Sequence, residues 1–181
     1  MIENKNKEEW IIKGYGLVAE IGFDSINIEQ ISRLMNKNKS SFYHYFGEFP
    51  LYIRQLLSWH ILRSQEFAQK MEGCESVNPG ILNLAIEYKT DIFFHKQLRL
   101  KRSRVDFTET LTQAFSNYEK AVIDHWAHFF GLEQNPKFVS TFIHFFTENL
   151  LLKITFETFT FEWLERYANE LKVMIEQMEK S

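Results

Sequence analysis

Between Glu29 and Glu48 the chain carries Arg33, Lys37 and Lys39 and no acidic residue. Around these bases stand Asn27, Asn36, Asn38, Ser40, Ser41, Tyr43, His44 and Tyr45. Ammonium, hydroxyl, amide and imidazole groups at this density are the donors that engage phosphate oxygens and base edges. Elsewhere the chemistry is sparse. The sequence has no Gly-rich phosphate loop, no HExxH, no paired-cysteine zinc spacing and no paired Glu-x-x-His. The single cysteine, Cys74, has no adjacent cation or nearby histidine to activate it. We therefore expect no catalytic residue, no metal and no cofactor, and a protein that is not an enzyme.

The elements that must position the basic and hydroxyl side chains can be read locally. Ile28, Ile31, Leu34 and Met35 recur at helical spacing. Asn27 suits the N-cap, and Gln30 three residues on completes a capping-box pattern. Asn36-Lys37-Asn38 makes a turn: Asn36 tolerates the left-handed conformation that closes a helix, and Asn38 can cap the next one. That second helix runs from Lys39 to about Phe46 and buries Phe42 and Phe46. The outline is a helix-turn-helix whose second helix could enter a DNA major groove.

Upstream, a helix from about Glu8 to Ile21 should bury Trp10, Ile11, Leu17, Val18 and Ile21, with the residues before it frayed. Gly14 and Gly16 each cost about 1 kcal/mol relative to Ala inside a helix, which points to a close approach by the two short helices that follow. Gly22 ends this helix. Downstream, Gly47 breaks the second short helix and Pro50 opens a long one reaching about Met71.

These residues resemble the N-terminal domain of the TetR family of bacterial transcriptional regulators. The family runs roughly Gly-Phe, Thr-Thr-Val, Ile-Ala, Ala-Gly-Val-Ser, Gly-Thr-Leu-Tyr, His-Phe and Ser-Lys. Here the series stands as Gly22-Phe23, Ile26-Asn27-Ile28, Ile31-Ser32, Met35-Asn36-Lys37-Asn38, Ser40-Ser41-Phe42-Tyr43 and Tyr45-Phe46. The aromatic end, FYHYF, is its most specific part. Asn36 stands where the family has Gly, Lys37 where it has an apolar residue, and Phe49 where it has a Lys that meets a phosphate. The motif covers about a third of the chain. The resemblance implies a DNA-binding transcriptional regulator, a repressor on a palindromic operator of double-stranded DNA, acting as a homodimer and released by a small-molecule effector. Its DNA contacts would come from Asn27, Lys37, Lys39, Ser40, Ser41, Tyr43, His44 and Tyr45. Tyr43 occupies the family's Tyr position and Asn27 its Thr cap, both facing phosphates. Lys39 approaches base edges, and Lys37 lies in the turn as a charge near the backbone.

His60, His95 and His125 each fall on or beside the apolar stripe of a different helix. Three readings stay open for them: hydrogen-bonded core residues, metal ligands, or polar handles for an effector. In TetR-like proteins these helices surround an effector pocket, so His60, His95, His125 and Tyr118 are candidate contacts. The cavity expected is apolar, aromatic-lined and roughly 300 Å³ or larger.

Beyond position 72, residues 73–80 read as a loop, and a helix from about Ile81 to His95 follows. The run from Lys96 to Arg104 is basic, either a solvated connector pairing with acidic neighbours or an anion site. Asp106 and Glu109 begin a helix with the stripe Phe107, Leu111, Phe115, Tyr118, Val122, His125, Phe129. The segment 136–159 carries two apolar stripes. One is Phe138, Phe142, Phe145, Leu152, Phe156, Phe159, and the other is Val139, Ile143, Phe146, Leu150, Ile154. A helix in a small domain needs one such face. The surplus, with a last helix over about 160–179, suggests a four-helix bundle across a two-fold axis with Phe145, Leu152, Phe156, Tyr167 and Leu171 in the dimer interface.

Composition agrees with an all-α protein. Only 3 Pro and 7 Gly occur, too few turn-formers for many hairpins, while 45% hydrophobic residues and 18 Phe supply an aromatic core. A net charge of −3 argues against a protein that coats nucleic acid non-specifically. One cysteine, a polar N-terminus and no membrane span fit a cytoplasmic protein. The expected division is a helix-turn-helix domain at 1–50 and a helical effector-binding and dimerisation domain at 51–181. An alternative keeps the helical dimer but binds a protein or ligand in place of DNA.

Overall fold

A computed structural model describes residues 2–179, and of residues 2–4, 136 and 179 the backbone alone. Among the described residues every regular element is a helix. In chain order these are α1 (Ile2–Ile21), α2 (Ile28–Leu34), α3 (Lys39–Phe46), α4 (Phe49–Glu72), α5 (Leu82–Glu87), α6 (Lys89–Leu100), α7 (Val105–Phe130), α8 (Pro136–Lys153) and α9 (Phe161–Glu179). A wide turn, Val77–Ile81, leads into α5. The fold is all-α, and no helix is long and apolar enough to cross a membrane. Internal contacts divide the chain into two compact units, residues 1–63 with 90–114, and residues 64–89 with 115–181. Helices α4 and α7 contribute residues to both.

In the first unit α1 starts a turn and a half earlier than its apolar pattern indicated, because its polar beginning has partners. Asn6 and Glu9 take the Lys37 ammonium, and Lys7 lies 5.7 Å from the centre of the Phe46 ring. Trp10, Ile11, Leu17 and Val18 are buried as their spacing implies, whereas Ile21 is exposed and Tyr15 and Ala19 are buried as well. Trp10 meets the edge of Phe42 at 5.5 Å, and Phe42 packs in turn on Phe46 and Tyr52 at 5.0 Å each. Gly14 does mark a close approach, but of α4 and not of α2 or α3. A Cβ at Gly14 would lie 1.7 Å from the Tyr52 hydroxyl, which donates to the Trp10 carbonyl at 2.6 Å. Gly16 faces open space.

Beyond α4 the chain departs from the sequence reading at three places. The helix expected from Ile81 to His95 is broken at Tyr88, whose backbone leaves helical geometry (φ −93, ψ 22). The break lets Tyr88 bury its ring face to face with Phe67 at 4.5 Å and donate to Glu66 at 2.7 Å. The segment 136–159 is not one helix: α8 stops at Lys153, and Thr155 and Thr158 exchange backbone-to-hydroxyl bonds of 3.1 and 3.2 Å that satisfy the chain outside a helix. Ile154 and Phe159 are buried on either side of that turn, and Lys89 donates to the Phe159 carbonyl at 3.3 Å. Finally, α7 starts at Val105, so Asp106 lies inside it and is no cap. The buried face of α7 is Phe107, Thr110, Ala114, Ala121, Val122, Ala127 and Phe130. Small residues make up much of that face, and the expected stripe shares Phe107 and Val122 with it.

The two glycines of α1 give opposite expectations. Gly14→Ala must displace Tyr52 and break its bond to Trp10, a loss of about 2 kcal/mol or more from overpacking and the orphaned hydroxyl. Gly16→Ala meets nothing and should gain about 0.5–1 kcal/mol from helix propensity. Denaturant unfolding of both variants checks the contrast.

Candidate nucleic-acid interface

The α2–α3 pair is built from asparagines. Asn27 accepts from the Gln30 backbone N–H at 2.9 Å, while Gln30 Oε1 returns no bond, so half of the capping box is made. At the other end of α2, Lys37 N–H donates to the Ser32 carbonyl at 3.0 Å and Asn36 N–H to Arg33 at 3.1 Å. This is the Schellman pattern, and Asn36 takes its left-handed residue at φ 52. Asn38 then accepts from Ser41 N–H at 2.9 Å to start α3. Gly47, at φ 70, ends it. A four-residue connection, 35–38, thus carries one helix stop and one helix start.

On α3 the buried side is Phe42 and Phe46. Lys39, Ser40, Tyr43 and His44 are exposed, and Ser41 and Tyr45 are half-buried. No carboxylate lies on α3 itself, but carboxylates from its neighbours reach the lysines. Lys39 pairs with Glu29 at 3.2 Å. Lys37 is half-buried and holds Glu9 at 2.6 Å and Asn6 at 3.2 Å, which keeps the Glu9 carboxyl below its usual range. The expected backbone charge in the turn is therefore engaged with α1. Phe49, at the start of α4, is half-buried with its ring 5.9 Å from Tyr52. The basic run after α6 pairs similarly with acidic neighbours: Lys101 with Asp24, and Arg104 with Asp106 at 2.7 Å.

The candidate effector contacts fall in both units. His60 and His95 are buried in the first unit, with His60 Nε2 3.1 Å from His95 Nδ1. In the second unit Tyr118 is half-buried with its ring 5.4 Å from Phe67, and His125 donates to the Cys74 carbonyl at 2.7 Å. An apolar cavity does lie in the second unit, walled by Trp126, Ile143, Phe146, Leu150, Leu164 and Leu171 among others. Its volume is about 110 Å³ and none of the four residues lines it. Trp126 stacks on Phe130 at 5.2 Å and Phe142 meets Phe146 at 3.9 Å, while His125 lines a separate open cleft of about 310 Å³ with Val77, Asp124 and Phe129. Among the described residues no group of His, Cys, Asp and Glu is placed to hold a metal ion.

On α8 the stripe of Val139, Ile143 and Phe146 forms core, while Phe145 and Leu152 are 61% and 67% exposed. Phe156 is half-buried beneath the Lys89 ammonium. Tyr167 is buried and bonded to Asn149 at 3.0 Å, and Leu171 faces the cavity.

Sequence reasoning missed the partners of the buried histidines. Tyr15 lies 2.7 Å from His60 Nδ1 and donates to Asp91 Oδ1 at 2.9 Å, while Arg63 grips both Asp91 oxygens at 3.0 Å. A signal was present: Arg63 is three residues after His60 and Asp91 four before His95, so each pair shares a helix face.

Comparisons with family models, with curated proteins and with solved structures give no match to this chain.

Removing Asp91 tests how far the buried network supports the fold. Asp91→Ala takes the shared acceptor from Arg63 and Tyr15, and should cost about 3 kcal/mol, as when one partner of a buried ion pair is deleted. The drop in thermal midpoint relative to an exposed control, Asp124→Ala, is the measurement.

Proposed function

We propose that the chain is a homodimeric, TetR-like, cytoplasmic DNA-binding transcriptional regulator, with α2 and α3 as its helix-turn-helix and α3 as the reading helix. The observation that carries this reading is α3 itself. It is capped at both ends and anchored by Phe42 and Phe46, and it displays Lys39, Ser40, Tyr43 and His44 outward with no acidic residue among them. Such a helix offers base-edge donors near its start and a phenol for the phosphate backbone. The two reading helices of a dimer would have to lie about one turn of DNA, or a multiple, apart. An effector that prefers another spacing would release the DNA. The cavity of the second unit suits an effector of only a few heavy atoms, being smaller than the ~150 Å³ void that takes a benzene.

A second reading, a helical dimeric module that binds a protein or ligand other than DNA, draws support from the pairing of Lys37 with Glu9 and Lys39 with Glu29. Both lysines that would supply positive charge already have carboxylates. Salt titration on a selected operator and a scrambled duplex separates the two readings. Tyr43→Phe loses one hydroxyl donor and should weaken both duplexes about equally. Lys39→Ala should cost about 1–3 kcal/mol at one base pair of the operator and relax selectivity there. Binding of neither duplex by the wild type, even at low salt, gives the answer to the second reading.

The dimer has its own test on α8. Because Phe145 and Leu152 are exposed in the single chain, Phe145→Glu and Leu152→Glu should leave the helical content and thermal midpoint of the monomer intact. In the dimer the same carboxylate would be buried without a partner. Light scattering should therefore give a dimer for the wild type and a monomer for each variant at micromolar concentration. A wild-type monomer would remove the homodimer from the proposal.

A further inference from the structure

The hydrogens on the buried histidines of the first unit can be assigned from their partners. A carboxylate only accepts, so the Tyr15 hydroxyl commits its one proton to Asp91 Oδ1 at 2.9 Å. The Tyr15 oxygen must then accept from His60 at 2.7 Å, which puts the His60 proton on Nδ1. A neutral His60 so protonated has a bare Nε2, and His95 Nδ1, 3.1 Å away, supplies the hydrogen there. The donors run one way, from His95 on α6 to His60 on α4, to Tyr15 on α1, to Asp91 on α6, where Arg63 of α4 closes the far end with bonds of 3.0 Å. His60, His95, Tyr15 and Asp91 are all buried.

We infer that this relay is a proton-sensitive latch: with both imidazoles neutral it fastens α1 to α4 and α6, and acid opens it. The facing nitrogens of His60 and His95 share one hydrogen, so two imidazoliums would set N–H against N–H at 3.1 Å. One added proton on the far nitrogen of His95 would keep that bond, but it would bury a cation whose charged neighbour is Arg99. Among the described residues, the titratable and charged groups that face the pair include Tyr15 from α1, Arg63 from α4, and Asp91 and Arg99 from α6. Asp91 is the acidic one of these, and it is separated from His60 by the Tyr15 hydroxyl and already gripped by Arg63. Burial pushes both histidines down, His95 to about 4 with Arg99 adding to the effect, and His60 with His95 adding.

The sign follows from those directions. A histidine whose closed-state pKa lies below the open-state value of about 6.5 takes up its proton on opening, so acid favours the open form from about pH 6.5 downward. If both imidazoles charge only on opening, the opening equilibrium rises on the order of 10³-fold between about pH 7.5 and 5, and about 30-fold if one does. The latch does not depend on what α3 binds.

Amide hydrogen exchange of the full chain at a series of pH values, corrected for the intrinsic pH dependence of exchange, reads the opening directly. Exchange of α1 amides around Tyr15 should accelerate by about 30-fold or more between pH 7.5 and 5, ahead of α8 and α9. His95→Asn keeps an N–H donor at the Nδ1 position and loses the titration, so it should cut that acceleration by about tenfold or more. Protection of α1 that does not change with pH overturns the latch. Equal acceleration in α8 and α9 overturns it too, since that is acid unfolding of the whole chain. The wild type alone gives a further check by ring-proton NMR. His60 and His95 titrating near about 6.5 with α1 still protected would also overturn the inference.

Discussion

A buried tyrosine hydroxyl must find an acceptor, and Tyr52 finds the backbone carbonyl of Trp10 at 2.6 Å. It can do so because residue 14 has no side chain. With the phenol held there, its ring completes an aromatic cluster in which Phe42 touches Trp10, Phe46 and Tyr52. Phe42 is the inward anchor of α3, so the orientation of that helix follows from the fit of Tyr52 against α1. Burial also keeps the hydroxyl protonated, raising its pKa far above that of a free phenol. The phenol of Tyr52 therefore brings no titration of its own to the anchor.

The histidine network in the same unit rests on the opposite principle. An apolar contact between helices tolerates a slip of one turn at the cost of repacking. A chain of directional bonds does not, because each buried group left unmatched costs about 1–3 kcal/mol. Tyr15, His60, Arg63, Asp91 and His95 match one another in a single arrangement of α1, α4 and α6. The net energy of such a network is modest, but it discriminates sharply between the right packing and near misses. The aromatic cluster supplies the cohesion, and the polar chain supplies the register.

What was legible in the sequence was local. Asn27, Asn36 and Asn38, with Gly22 and Gly47, all do in the structure what their types suggest, since a cap or a left-handed residue acts on atoms a few positions away. What was not legible depended on partners far along the chain. Tyr88 breaks a helix because Phe67 and Glu66 hold it. Val139, Ile143 and Phe146 of one α8 stripe and Phe142 of the other became core while Phe145 stayed exposed, a choice that periodicity cannot make. Lys37 reads as a free cation until α1 is extended far enough to bring Glu9 and Asn6 to it. Of the candidate interface, residue types and exposure on α3 were legible, but the electrostatic state of its lysines was not.

That state shapes how the proposed reading helix would work. Exposed ion pairs such as Lys39–Glu29 contribute about 1 kcal/mol at most, so a phosphate or a guanine edge can displace Glu29 at small cost. The displaced carboxylate does not leave, however, and close to a phosphate backbone it repels. Charge therefore offers this helix less than its lysines imply, and Lys37, half-buried against Glu9 and Asn6, offers less still. Binding would then lean on the uncharged donors of α3 as well. Ser40, Ser41 and the Tyr43 hydroxyl hydrogen-bond without counterion release, so binding through them depends weakly on salt and strongly on geometry. Geometry is what the Tyr52–Trp10 bond and the Phe42 anchor secure, so a reading role for α3 would depend more on the fit beneath it than on the charge it displays.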